Sequence, residues 1–217
     1  MDAVKITGDI YRSFLHDEET QKNTHWRYGG PPTYDIVNQL FEQGRTKEWP
    51  KGSLEETVQI AIKSWDMETH RREGISAEEV LRLGTYNALL KDDLPEEFKY
   101  YKAEEESFES SHDVFLSVFP RGFAWEVISV HSGPPLIAFK FRHWGFFEGP
   151  YKGHAPTGEM VEFCGMGLLK VDESLKAEYV ELYFDPGELF SGLLKGPATS
   201  ESQPEQLESS TRCPFQK

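Results

Sequence analysis

Cysteines, long apolar runs and basic residues are all scarce in this chain. Its two cysteines, Cys164 and Cys213, are too few for a disulfide framework. No apolar run approaches the roughly 18 residues that a transmembrane helix needs, and the first ten residues lack the basic start and apolar middle of a signal peptide. These absences predict a cytoplasmic protein with reduced thiols and no membrane partner.

The acidic balance argues against a further class of partner. The chain has 37 acidic and 23 basic residues, which give a formal net charge of −14. Proteins that bind nucleic acid carry clustered Lys and Arg, so we expect no nucleic acid as a partner. The excess of acids favours solubility.

Aromatic residues, by contrast, are plentiful. Phe, Tyr and Trp make up 13% of the 217 residues, and a chain of this length can bury roughly 70% of its unfolded surface. We predict an irregular N-terminal arm over 1–32, a single domain over 33–196 and a disordered acidic tail over 197–217. In that case Cys213 reacts quickly with thiol reagents. Cys164, as a small buried apolar residue, reacts slowly.

The domain is organised around three strands between residues 136 and 185. The pattern predicts strands over Ile137–Trp144, Met160–Val171 and Glu178–Phe184, joined as an antiparallel meander. A meander needs another layer to cover its apolar face. Phe123 to His131 alternates in the same way and predicts one more strand before it.

Helix signals precede these strands. Thr33 can cap a short helix, and capping boxes at Ser53-x-x-Glu56 and Ser76-x-x-Glu79 each begin a longer one. An acidic edge strand over 94–110 and a helical turn or two from Val114 follow. Asp185 begins a closing helix. Helices followed by strands indicate the α+β class.

Glycines and a Pro-Thr-Gly triplet recur at fixed spacing after the first strand of the meander: Gly145, Gly149, Gly153 and Pro156-Thr157-Gly158. The spacing matches G-x-x-x-G-x-x-x-G-x-x-P-T-G. It resembles SnoaL-like proteins, the polyketide-cyclase-like branch of the nuclear transport factor 2-like superfamily. The ungapped match runs from Ile137 to Asp185.

A second resemblance, to plant pathogen-related proteins, spans most of the chain. It rests on Trp26-Arg27-Tyr28-Gly29, Pro31-Pro32, Phe119 to Ala124 and Phe139 to Gly145. Together the resemblances imply a cystatin-like, nuclear transport factor 2-like fold. In that fold a strongly curved antiparallel sheet wraps around N-terminal helices as a cone with a pocket at its open end. They also imply an association with defence.

Strand parity predicts which side chains face that pocket. Aromatic residues dominate the inward positions, and the predicted lining is Trp65, Tyr86, Trp125, Phe141, Phe163 and Phe184. The alternative is that these side chains simply fill the core. A pocket lined in this way suits a flat or hydrophobic small molecule.

Two residues are candidates for catalysis. His143 is a polar residue on the inward face, and histidine is the commonest general acid or base. It can equally be a core histidine. Asp185 matches the Y-F-D element of SnoaL-like relatives, but with Pro186 and Glu188 after it the residue also fits a helix cap.

The remaining polar set of the family is replaced in this chain. Phe147, Gly167 and Leu182 stand where relatives carry histidine or acidic residues. His131, His143, His154 and Glu162 include no short-spaced ligand pair, so we expect no metal and no cofactor.

Three functions therefore stay open. The first is a defence-associated cytosolic protein that binds a hydrophobic small molecule in the cone. The second is a cyclase or isomerase in which His143 moves a proton. The third is a protein-interaction scaffold, or a homodimer, formed through the outer sheet face that carries Trp144, Tyr179 and Tyr183.

Overall fold

The α+β class is confirmed. The structure, a computed structural model, describes residues 9, 11–12, 22–26, 29–68, 108–173 and 177–199. In those ranges the helices are α1 (Asp35–Gly44), α2 (Leu54–Glu68), α3 (Phe108–Val118) and α4 (Pro186–Leu193), and the strands are β1 (Ala124–Val130), β2 (Leu136–Phe146), β3 (Met160–Val171) and β4 (Ala177–Phe184).

The four strands form one antiparallel sheet in the order β1-β2-β3-β4. The predicted meander is confirmed, with β3 at the predicted bounds and β2 longer at both ends. The register places Trp125, His143 and Phe163 side by side across three strands. One irregularity, between Val127 and Ser129, interrupts the β1–β2 pairing.

The aromatic residues of β2 that were predicted to face inward lie on its buried face. Ile137, Phe139 and Phe141 lie on the same face and are 0–1% exposed. Helices α2, α3 and α4 bury their apolar side chains in the same core cluster, through Val58, Ile62, Val118, Phe119, Leu189, Phe190 and Leu193. Burying side chains of this size stabilises the fold by roughly 1.5–3 kcal/mol each.

Two glycines of β3 make room for the rings of β2. The register pairs Phe139 with Gly167 and Phe141 with Gly165. A Cβ built on Gly167 would lie 2.2 Å from Cζ of Phe139, and one on Gly165 would lie 2.5 Å from Cζ of Phe141. Each ring thus lies over a glycine on the neighbouring strand, and this arrangement fixes the β2–β3 register.

The outer face is covered only in part. Helix α1 packs on Trp144, whose ring stacks on Phe41 with centroids 6.1 Å apart. Trp144 is 1% exposed, so it is not available to a partner in the way the scaffold hypothesis requires. Tyr179 and Tyr183 on β4 remain 40% and 54% exposed.

The prediction that Cys164 is buried is wrong. It is exposed on β3 rather than buried. The alternation that turns Phe163 into the core turns its neighbour Cys164 to the outer face. Cys213 lies outside the described residues.

The free edge of β1 forms hydrogen bonds with side chains of α2 and of the loop that precedes α2. The Gln59 amide donates to the carbonyl of Trp125 (2.9 Å) and accepts from the amide N–H of Val127 (2.7 Å). Trp49 Nε1 donates to the Val127 carbonyl at 3.2 Å. These bonds satisfy edge groups that would otherwise pair with another strand.

Several boundaries differ from the expectations. Helix α1 begins after Tyr34 without a side-chain cap, so Thr33 is not its cap. The Ser53 hydroxyl caps α2 by accepting from Glu56 N–H at 3.1 Å. The acidic segment 94–110 is helical where it is described, because α3 begins at Phe108. The helix predicted from Ser76 lies outside the described residues.

The chain after α4 remains attached to the domain for three residues beyond the predicted boundary. Ala155 N–H donates to the Pro197 carbonyl (2.9 Å), and Thr199 N–H donates to the Gly153 carbonyl (2.7 Å). Trp26 of the arm is buried against Tyr34, as expected of an arm that packs on the domain. Phe14 and Tyr28 are not among the described residues.

We predict that Gly167→Ala lowers the free energy of unfolding by roughly 1–3 kcal/mol, because the added methyl overlaps a Phe139 ring that is fully buried. Gly30→Ala is the matched control, since nothing lies within 4 Å of its added methyl. It should change stability by less than about 0.5 kcal/mol. Urea unfolding measures both, and equal midpoints for the two variants would contradict the packing described.

Candidate functional site

A small cavity lies where the arm, α1 and α2 meet the first two strands. Its volume is about 50 Å³, and it is lined by Arg12, Val37, Asn38, Phe41, Lys63, Phe123, Ala124, Trp125 and His143. Pockets for drug-sized ligands measure about 300–1,000 Å³. This cavity therefore has room for one or two water molecules, or for the polar end of a larger molecule.

Lys63 is the most unusual residue of the lining. It lies one helical turn after Gln59 on α2, and its side chain follows Gln59 toward β1 and α1. The residue is only 5% exposed. Its Nζ lies 3.5 Å from the ring centroid of Tyr11 and 3.4 Å from that of Phe41. Within the described part of the chain, Nζ has no hydrogen-bond partner.

The environment of Lys63 favours loss of its proton. Burial lowers the pKa of Lys63 to about 7, and the nearby cation of Arg12 acts in the same direction. The carboxylates of Glu42 and Asp9 act against this shift, and the two ring faces also favour the ammonium form. Both the neutral amine and the ammonium are therefore present near neutral pH.

The arm closes this side of the cavity with a buried polar cluster. Arg12 Nη1 bonds Asp9 Oδ2 at 2.8 Å, and Asn38 Nδ2 donates to the same oxygen at 3.1 Å. Arg12 Nε donates to the Lys63 carbonyl at 2.9 Å. Burial alone would raise the pKa of Asp9, but Arg12 and Asn38 outweigh it and hold the pKa below its ordinary value. The cluster thus fixes the arm against α2.

His143 lies within a stack of aromatic rings. Its ring centroid is 4.6 Å from that of Phe123, 4.9 Å from that of Trp125 and 5.4 Å from that of Phe163. Burial lowers the pKa of His143 to about 3, against a weaker effect of the Ala124 backbone. The imidazole is therefore neutral at physiological pH.

Three residues of the lining each have a buried polar atom with no hydrogen-bond partner among the described residues: Lys63 Nζ, Trp125 Nε1 and His143 Nδ1. Native proteins rarely leave buried polar atoms unsatisfied, since each costs about 1–3 kcal/mol. Because Nδ1 is the unpartnered atom, we assign the ring proton that bonds the Ala124 backbone to Nε2. Nδ1 is then an acceptor. The cavity thus offers two donors and one acceptor.

Of the residues predicted as site residues, Trp125 and His143 line this cavity. Phe141 and Phe163 are buried in the core, where Phe184 stacks on Phe163 with centroids 4.3 Å apart. Trp65 meets Trp125 edge-on at 6.0 Å. Tyr86 lies outside the described residues. A ligand pocket bounded by the whole predicted set stays a prediction.

Asp185 has a structural role in this fold. Its Oδ1 accepts a hydrogen bond from Gly187 N–H at 2.8 Å and caps α4, and the residue is exposed. The helix-cap alternative raised by Pro186 and Glu188 is thus what the structure shows. A catalytic role for Asp185 stays a prediction.

Two of the positions at which the sequence resemblance implies polar residues, Phe147 and Gly167, are closed by packing. Phe147 is 0% exposed, and the Phe139 ring covers Gly167. Within the described ranges no three His, Cys, Asp or Glu residues come together in a way that could hold a metal ion. No helix in the same ranges has both the length and the apolarity needed to cross a membrane.

Sequence reasoning missed the polar part of the lining, Arg12, Asn38 and Lys63, and Asp9, which bonds Arg12. Lys63 follows Ile62 in an amphipathic helix, where a lysine ordinarily lies at the solvent boundary. Its burial depends on the arm, whose Arg12 bonds it from 51 residues away. In the sequence, only the spacing of Gln59 and Lys63 indicated that both side chains lie on the same side of α2.

We predict that the stability cost of Lys63 depends on pH. An unfolded lysine has a pKa of about 10.4, so between pH 7 and 10 the unfolded state binds more protons than the folded state. Stability then rises with pH, by up to about 1.4 kcal/mol per pH unit. The advantage in unfolding free energy of Lys63→Met over wild type should therefore shrink between pH 7 and 9. Urea unfolding measures it.

Lys140→Met is the control, because Lys140 is exposed on β2. Its difference from wild type should not change over the same pH range. A pH-independent difference for Lys63→Met as well would contradict the lowered pKa.

Comparison with known structures gives matches of low similarity. No protein-family model matches the chain. A SnoaL-like polyketide cyclase from Agrobacterium tumefaciens is 11% identical over 65% of this chain and 98% of that one, with a TM-score of 0.34. An NTF2-like protein from Burkholderia thailandensis is 19% identical over 42% of this chain and 67% of that one, with a TM-score of 0.26. No argument about the site rests on these superpositions.

Comparison with known sequences is far closer. The pathogen-related protein of Hordeum vulgare is 47% identical over 218 aligned positions, which cover 90% of this chain and 92% of that protein. The chain belongs to the family of plant pathogen-related proteins.

Proposed function

We propose that this protein is a defence-associated binder of a hydrophobic small molecule, whose oxygen-bearing end enters the cavity beside Lys63. The observation that carries the proposal is the set of three unpartnered polar atoms, Lys63 Nζ, Trp125 Nε1 and His143 Nδ1, in the lining. The defence association comes from the name of the barley relative.

The chemistry of the lining limits the ligand. Two donors and one acceptor match a hydroxyl, carbonyl or carboxyl group, and a cavity of about 50 Å³ holds a group of that size. The rings of Phe41, Phe123 and Trp125 complete the lining. An apolar body next to one polar end is the ligand that such a site favours.

The protonation of His143 favours binding over the acid–base enzyme. A general base works best when its pKa is near the working pH, and the pKa of His143 is about 3. At neutral pH its Nδ1 can accept a hydrogen bond but takes up a proton poorly. A cyclase or isomerase that uses His143 as its base is therefore the weaker alternative.

We predict that benzyl alcohol stabilises the protein against thermal unfolding more than toluene at equal concentration, because only the alcohol can bond the three polar atoms. At a hundred times its Kd, a ligand should stabilise the fold by about 2.7 kcal/mol. Trp125→Phe keeps an aromatic ring but removes one donor. It should weaken binding of the alcohol roughly 3- to 10-fold, as expected for one hydrogen bond.

Trp49→Phe is the matched control. It also removes an indole N–H, but that group donates to the Val127 carbonyl and does not line the cavity. Affinity for the alcohol should be unchanged in this variant. Equal stabilisation by toluene and benzyl alcohol, or equal losses in the two tryptophan variants, would contradict the proposal.

A further inference from the structure

We propose that Lys63 forms a reversible imine with the carbonyl group of an aldehyde or ketone ligand that enters this cavity. The inference rests on the binding function proposed above and names the ligand class of the same site. It assigns to Lys63 a covalent role that goes beyond binding.

The amine of Lys63 lacks a hydrogen-bond acceptor and a counter-ion among the described residues. Nζ lies between the ring faces of Tyr11 and Phe41, 3.5 Å and 3.4 Å from their centroids, with no hydrogen-bond partner in that part of the chain. The residue is 5% exposed and lines the cavity. A lysine buried for structural reasons ordinarily pairs with a carboxylate, and this one does not.

The nearby carboxylates are bonded to other residues. Asp9 Oδ2 bonds Arg12 at 2.8 Å. Glu42 accepts from the Tyr11 hydroxyl at 2.7 Å and pairs with Arg45 at 3.0 Å. Neither carboxylate forms an ion pair with Lys63, so neither holds its proton in place.

The surroundings of Lys63 favour the neutral, nucleophilic form of its amine. Burial and the cation of Arg12 lower the pKa of Lys63 to about 7, with a further contribution from Arg45 and opposition from Glu42 and Asp9. About half of such an amine is neutral at pH 7, against about 0.04% of an exposed lysine of pKa about 10.4. Desolvation of this kind is one way in which proteins activate lysine for imine formation.

The chemical step balances without a further reagent. Neutral Nζ attacks the carbonyl carbon, a C–N bond forms, and the carbonyl oxygen becomes a hydroxyl by taking a proton from the nitrogen. The C–O bond then breaks, water leaves with the second amine proton, and a C=N bond remains. Addition of water reverses the step.

The experiment traps the imine in the full-length chain. Protein is incubated at pH 7 with benzaldehyde and sodium cyanoborohydride, which reduces an imine to a stable benzylamine, and the modified lysines are located by peptide mass spectrometry. We expect Lys63 to be labelled at least about tenfold faster than exposed lysines such as Lys140, in line with its larger neutral fraction. Labelling of Lys63 at or below the rate of Lys140 overturns the proposal.

Two substitutions of Lys63 remove the amine in different ways. Lys63→Met keeps an unbranched apolar side chain, and Lys63→Arg keeps a cation that can lie over the rings of Tyr11 and Phe41 but cannot form an imine. In whichever variant folds, the fast-labelled product should be lost while labelling of Lys140 is unchanged. Persistence of a fast adduct on another lysine overturns the assignment to Lys63.

Benzyl alcohol separates the two proposals, because it has nearly the shape of benzaldehyde but no carbonyl. Stabilisation by the alcohol without fast labelling of Lys63 by the aldehyde overturns the imine and leaves the binding function standing. Fast labelling of Lys63 that an excess of the alcohol suppresses supports both. If the alcohol neither stabilises the protein nor competes with labelling, this result overturns the binding function.

Discussion

The alternation of side chains along β2 is the constraint on which the rest of the structure depends. One set of residues, Phe139, Phe141 and His143, faces the core and is paired across to the glycines and Phe163 of β3. The opposite set carries Trp144 to α1. A slip of one residue would reverse both faces, and the two Phe-over-Gly contacts prevent it. The β1–β2 register places His143 beside Trp125 and so completes the strand side of the cavity.

The cavity itself depends on a second condition, the closure of the arm over α2. Arg12 binds the Lys63 backbone, and Tyr11 covers the Lys63 amine. Burial of Lys63 in this closed arrangement, together with the nearby cation of Arg12, lowers its pKa to about 7. The lining of the cavity combines this amine from a helix with a histidine from the sheet that is neutral at physiological pH.

Much of the fold could be predicted from the sequence, and only half of the site. The strands could be predicted because the alternation that defines β3 is a local pattern. Ser53 and Asp185 are helix caps, as the spacing of the residues after them indicated. The burial of Lys63 is a tertiary effect of chain segments about 50 residues apart, which periodicity does not record. Cys164 was placed wrongly because its residue type was weighed above its parity.

The central claim is that Lys63 is a buried amine that is partly neutral at physiological pH. An NMR titration of the Cε and Nζ chemical shifts of Lys63, assigned by comparison with Lys63→Met, tests it without any ligand. The account predicts a midpoint at about pH 7, well separated from the other lysines. A midpoint above about 10, where exposed lysines titrate, would contradict it.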